Sequence, residues 1–237
     1  LEPIIVTRDS LFMQYPASWW REAWREALVS GNGHTGASFY GGTKEQTIML
    51  TDGDLWYGGK AEKLPDVHEA LNRMRDKMDH GEYKEASWEI VNELKRCGYQ
   101  AELEFPLPLA DLKIQIIPKG TFHHYLRVLQ MDRGEVSCQW TDQEVLYRCD
   151  GFVSRADDMI RYRIRASKPV ICADFMADIH RIPGMPLPEI CEELEKEKEL
   201  KVEKDWLFYR NVDGGGRFFG MAARVESDGI QKADHII

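Results

Sequence analysis

WREALVSGNGHTGASFYGG (residues 24–42) and IMLTDGDLWYGG (residues 48–59) form the densest run of structural signals in the chain. Two short apolar segments, 37–40 and 48–50, are punctuated by glycine, asparagine and aspartate. Residues of that kind tolerate positive φ and mark tight turns. The pattern predicts strands joined by short loops that carry polar and aromatic side chains. Asn32-Gly33 is the favoured pair for a type I′ hairpin turn, in which both central residues need positive φ.

The same stretch contains a misleading motif. Gly31, Gly33 and Gly36 satisfy G-x-G-x-x-G, and Asp52 and Asp54 follow about twenty residues later, as a dinucleotide fingerprint requires. That fingerprint also needs a buried strand before it and a helix opening at its end, so that pyrophosphate meets a helix N-terminus. Here residues 19–28 read as a helix or irregular turn, and residues 37–42 read as a strand. A hairpin is therefore expected, and no nucleotide cofactor.

The chain has 237 residues, 43% of them hydrophobic, with seven Trp, nine Tyr and nine Phe. That suffices for a substantial core in one all-β domain. Net charge is −9 and the isoelectric point about 5.3, which argues against nucleic acid as a partner. No apolar run approaches the roughly 20 residues that span a bilayer. Cys97, Cys138, Cys149, Cys172 and Cys191 are odd in number, scattered and without a C-x-x-C spacing. They suit buried thiols of a cytoplasmic protein better than a zinc site or a secreted disulfide framework. The sequence starts at Leu1 rather than Met, which leaves open a removed leader segment.

Further strands are expected over residues 11–15, 112–117, 125–131, 136–140, 144–149, 151–154, 159–165, 170–176, 206–209, 218–225 and 230–237. Residues 159–165 alternate cleanly, with Ile160, Tyr162 and Ile164 opposite Arg161, Arg163 and Arg165. Strands at this spacing argue for a sandwich of antiparallel sheets.

One helical island interrupts them at 65–97. Val67, Leu71, Met74 and Met78 share one face of a first helix. Asp66 and Glu69 form a candidate capping pair, and Gly81 a left-handed end. A second helix carries Tyr83, Ala86, Ile90 and Leu94 on one side, with Gly98 past its end. The methionines at helical spacing read as packing. Residues 189–205 are a mixed-charge run anchored by Ile190, Leu194 and Leu200, either a solvated helix or a flexible excursion.

For chemistry, Asp52 and Asp54 flank a turn beside Trp56 and Tyr57. Two acids and an aromatic ring can hold a sugar, the ring stacking and the hydroxyls donating to carboxylates. The simpler role is a turn in which the aspartates cap backbone amides. His34, and His123 with His124, have no convincing ligand partners in sequence, so no metal is expected. Asp157-Asp158 reads as a turn. The glycine run after Asp213 lacks the Lys-Ser/Thr of a phosphate loop. No nucleophile–base–acid set is recognisable.

The quoted stretch is similar to the N-terminal domain of glycoside hydrolase family 95, the α-L-fucosidase and α-L-galactosidase family. That family runs roughly E-A-L-P-I-G-N-G-x-x-G-A, F-G-G and L-N-E-D-x-L-W-S-G-G; this chain has EALVSGNGHTGA (26–37), YGG (40–42) and LTDGDLWYGG (50–59). HGEYKEA (80–86), PLPLADL (106–112) and YLRVLQMD (125–132) resemble the family's G-K-Y-x-E-A, Q-P-L-G-D-L and Y-x-R-x-L-D-L. Val29-Ser30, Asp52-Gly53 and Tyr57 depart from the family's Pro-Ile, Asn-Glu and Ser.

The resemblance implies a mostly β, antiparallel, supersandwich-like sandwich with an inserted helical hairpin. It implies one domain over 1–237, the N-terminal part of a larger glycosidase acting on terminal α-linked sugars of an oligosaccharide. In that family the catalytic carboxylates lie in an (α/α)6 barrel on the same polypeptide, so no catalytic residue carries over to this chain. Asn32, His34, Asp52, Asp54, Trp56 and Tyr57 are the candidates for a substrate rim or barrel-docking edge. Two rivals stay open: a stand-alone carbohydrate-binding module, with Trp56-Tyr57 or Trp19-Trp20 as platform, and the N-terminal domain of a related phosphorylase.

Overall fold

The computed structural model of the protein describes residues 1–17, 23–57, 63–99, 105–117, 119–181 and 188–229. They form two compact units, Leu1–Trp56 with Pro106–Ile237, and Tyr57–Phe105. The expected strand over 230–237 and the Trp19-Trp20 pair lie outside the described residues.

In chain order the first strands are β1 (Ser10–Met13), β2 (Leu28–Gly31), β3 (Thr35–Phe39), β4 (Glu45–Asp52) and β5 (Trp56–Tyr57). Helices α1 (His68–Asp79) and α2 (Tyr83–Arg96) follow. Then come β6 (Phe105–Pro106), β7 (Ala110–Ile116), β8 (Phe122–Gln130), β9 (Glu135–Asp142), β10 (Val145–Val153), β11 (Ile160–Ala166) and β12 (Ala173–Asp178). The last elements are α3 (Pro188–Glu197), β13 (Glu199–Glu203), β14 (Trp206–Val212) and β15 (Phe218–Arg224).

Two five-stranded antiparallel sheets, ordered β1-β8-β9-β10-β11 and β12-β7-β4-β3-β2, make the expected sandwich. Strand alternation explains it. On β10, Val145, Tyr147, Cys149 and Val153 turn inward. Trp140 and Tyr147, cross-strand partners, stack at 5.2 Å between ring centres. Around them pack Ile116, Tyr125, Val145 and the thiols of Cys138 and Cys149. Between the sheets, Phe39 of β3 stacks on Tyr162 of β11 at 5.8 Å. Tyr125 Oη donates to the Gly41 carbonyl and Tyr162 Oη to Gln46 Oε1. These two inward hydroxyls are therefore bonded across the sandwich, as most buried polar groups are.

Arg127 is the largest fully buried side chain. Its guanidinium donates to the carbonyls of Tyr15 (2.9 Å) and Glu26 (2.6 Å) and lies against Met13 Sδ. One cation thus fastens the segments before β2 to β8. Burial holds its pKa below the usual arginine value.

Several expectations shift. The β2–β3 turn is not type I′: φ is positive at Gly33 (99°) but not at Asn32 or His34. Asn32 instead turns its side-chain oxygen inward, accepting from the amides of His34 (2.9 Å) and Thr35 (2.8 Å). Positive φ at both turn residues occurs at Gln143 (44°) and Glu144 (66°), so Glu144 belongs to the β9–β10 turn. A short strand, β2, does precede the G-x-G-x-x-G motif, but a strand rather than a helix follows, as expected. β12 starts three residues later than the pattern over 170–176 predicts.

The 189–205 run resolves into α3 and β13. Ile190 and Leu194 are buried, and Asn211 of β14 donates to the Leu194 carbonyl. β13-β14-β15 form a third, three-stranded sheet. Lys198 and Lys113 both reach Asp178, at 3.1 and 3.2 Å, tying the end of α3 to β7 and β12.

The second unit holds the two antiparallel helices. Both end at left-handed glycines, Gly81 (φ 80°) and Gly98 (φ 78°). The amides of Glu82 and Tyr99 then reach back to the carbonyls of Lys77 and Leu94, the expected closing pattern. At the start of α1, Asp66 accepts from the His68 amide at 3.1 Å, and Val67 occupies the cap without a side-chain bond. The anticipated apolar faces are only partly covered. Ala70 and Ala86 are buried, Met74, Ile90 and Leu94 are half-buried, and Leu71 and Met78 are exposed. Leu94 is therefore not the buried anchor its spacing suggests. Arg73 and Lys77 of α1 bridge to Glu89 of α2, each at 2.6 Å.

Candidate functional site: a polar edge of the sandwich

Four turns of the first unit meet around His34. In the β2–β3 turn, the His34 carbonyl accepts from the Gly53 amide at 2.8 Å, joining this turn to the one after β4. That second turn is closed by Asp52 Oδ1, which accepts from the Asp54 amide at 2.8 Å. The backbone-capping role expected of Asp52 is present. Trp56 Nε1 donates to the Gly53 carbonyl at 2.9 Å, and its ring is half-exposed. Leu55 is the buried anchor between them.

The third turn joins β10 to β11. Asp158, in the left-handed region (φ 53°), accepts from Asn32 Nδ2 and bonds His34 Nδ1 at 3.1 Å. Asn32 Nδ2 also donates to the Ser154 carbonyl at 3.0 Å. The fourth is the glycine turn after β14. Arg217 Nη1 donates to the Asp54 carbonyl (2.9 Å) and Nη2 to the Trp56 carbonyl (3.3 Å), while Nε pairs with Asp213 at 3.0 Å. Residues 52–56 are thereby held from both sides.

On its other nitrogen, His34 faces Asp52 Oδ1 at 3.9 Å and Asp54 Oδ2 at 3.7 Å. The hydrogen bond to Asp158, then the charge on Asp52, raise the His34 pKa above its ordinary value. Hydrogen bonds from Asn32 and Thr35 lower that of Asp158. The result is an exposed, net acidic edge beside an accessible indole. It can accept hydrogen bonds from hydroxyl groups, stack a flat apolar face, or hold a cation.

Asn32, His34, Asp52 and Asp54 are thus brought together, with Trp56 on the same turn. Tyr57 follows it in β5, and Gly58-Gly59 lie outside the described residues. Asp158 and Arg217 were not singled out from sequence as parts of this edge. His34 does have carboxylate partners, contrary to its sequence reading. His123 and His124 sit apart from them, at a register irregularity in β8. A second His–Asp pair was also missed: His180 Nδ1 lies 2.7 Å from Asp111 Oδ1, and both are buried.

Comparison with known proteins decides the family. The model of the glycosyl hydrolase family 65 N-terminal domain matches residues 11–206. The chain belongs to that family. Alpha-L-fucosidase 2 of Arabidopsis thaliana is 28% identical over 153 residues, which is 62% of this chain and 17% of that protein. This family 65 N-terminal domain therefore spans under a fifth of the length of that curated relative. The expectation of a glycoside hydrolase N-terminal domain is met, with the matched model described under family 65. Among the described residues no helix is long and apolar enough to cross a membrane. All five cysteines are free thiols.

Proposed function

We propose that this chain is the N-terminal β-sandwich domain of an α-L-fucosidase-like glycoside hydrolase and works with an (α/α)6 catalytic barrel on the same polypeptide. The observation that carries the proposal is the double match, a glycosidase N-terminal domain model over most of the chain and a fucosidase aligned over a small part of its own length. The polar edge around His34 and Trp56 is the surface that would meet the barrel or line the substrate rim. Hydrolysis by inversion would use an acid and a base about 6.5–9.5 Å apart with a water between them, both supplied by the barrel. The five free thiols fit a cytoplasmic location.

The half-exposed Trp56 beside Asp54 favours one second reading, a module that binds carbohydrate by itself. A single experiment separates the two. The reading frame is followed past codon 237 and its whole product assayed on aryl α-L-fucoside and α-L-galactoside. Several hundred further residues with repeated helical patterns, and turnover of either substrate, are expected. A stop codon close to codon 237, with sugar binding by the isolated chain, would replace this proposal with the binding module.

A further inference from the structure

We propose that His34 Nε2, Asp52 and Asp54 form a site for a divalent cation of the zinc class, which cross-links the β2–β3 and β4–β5 turns. His34 is anchored from outside the ligand set. Its Nδ1 is engaged by Asp158, 3.1 Å away on a third turn. A carboxylate at Nδ1 fixes the tautomer with hydrogen on that nitrogen, as the outer carboxylate of a histidine–metal site does. Nε2 then faces two carboxylate oxygens, at 3.7 and 3.9 Å. In the metal-free chain a proton on Nε2 can balance those anions, and a cation would displace it and take up the Nε2 lone pair.

The spacing suits a metal ion. The three donor atoms lie within 4.8 Å of one another. Ligands at about 2.0–2.2 Å in a tetrahedral shell sit roughly 3.4 Å apart. The two His34–carboxylate distances, 3.7 and 3.9 Å, need to close by only a few tenths of an ångström, and Asp54 must swing to complete the set with Asp52. Asp54 is exposed and free to swing, whereas Asp52 is fixed by the Asp54 amide. One imidazole with two carboxylates favours zinc or a similar first-row ion over calcium or magnesium, which prefer all-oxygen shells. Water would complete the coordination.

Cobalt(II) reports such a site directly, because its visible spectrum changes when water is replaced by imidazole in a tetrahedral shell. The metal-free 237-residue chain is titrated with Co2+ and, separately, with Zn2+ while thermal unfolding is followed. One equivalent of each is expected to bind, with an intensified cobalt spectrum and a raised Tm. His34→Ala and Asp54→Asn should abolish the spectrum. Asp158→Asn should weaken binding about 10-fold or more, since loss of an outer-shell partner costs 10–100-fold. Asparagine tolerates the left-handed backbone at 158, so that variant keeps its turn. Asp132→Asn, an exposed acid elsewhere, should change nothing. Far-ultraviolet circular dichroism confirms that each variant folds. A cobalt spectrum like that of the free ion, or one unchanged by His34→Ala, would overturn the site and leave an ion-pair cluster only.

Discussion

His34 and Asp158 stand 124 positions apart in the chain and 3.1 Å apart in the fold. That contact joins the β2–β3 turn of one sheet to the β10–β11 turn of the other. It closes the sandwich at the end where Asp52, Asp54 and Trp56 also lie.

Arg127 should be a stability determinant. Its replacement by Met keeps much of the volume but removes the donor to the Tyr15 and Glu26 carbonyls. A hydrogen bond from a charged group contributes about 1.5–3 kcal/mol, and less at an exposed residue such as Tyr15. Urea unfolding of Arg127→Met should show a loss of about 2–6 kcal/mol. A midpoint within error of the wild type would mean that water replaces the guanidinium at no cost.

The two units should respond differently to truncation. Ile114 of β7 is almost fully buried. Ile114→Ala should cost about 2–5 kcal/mol. Leu94 of α2 is only half-buried, so Leu94→Ala should cost clearly less. Equal losses in parallel urea titrations would show that α2 is more tightly packed than its exposure indicates.

Asp150 links stability to pH. Its carboxylate is partly desolvated, which raises its pKa. Bonds from Arg165 (2.7 Å), Arg148 (2.8 Å) and Ser137 (2.8 Å) outweigh that and bring it below the ordinary value. A folded pKa below the unfolded one, about 3.9 for aspartate, gives stability that is complete above the unfolded value and lost as pH falls towards the folded one. The Tm difference between wild type and Asp150→Asn should therefore be large at pH 7 and shrink by pH 3. A difference independent of pH would assign the effect to packing.

How much of this was legible in the sequence depends on the range of the interaction. Strand alternation in 159–165 and the paired helices with Gly81 and Gly98 are local patterns, and both hold. The approach of Asp52 to His34 was foreseeable because adjacent strands bring their turns to a common end. Asp158 and Arg217 were not, because each reaches the edge from a distant turn that by itself reads only as a turn. Arg127 sits in a strand of mixed pattern, and nothing local marks its side chain as inward. The type I′ turn was assigned to Asn32-Gly33 on composition. The Asn32 side chain instead bonds the following amides, and Gly33 alone takes positive φ. β13 was hidden because the alternation of Glu199–Glu203 is only five residues long and directly follows a charged run.

The most direct test of the account is turnover of aryl α-L-fucoside and α-L-galactoside by the isolated 237-residue chain at high protein concentration. The prediction is no hydrolysis above buffer, because the acid and base are assigned to a barrel outside these residues. Turnover clearly above buffer, and lost on substituting His34, Asp52 or Asp54, would contradict it and place the catalytic groups on this edge.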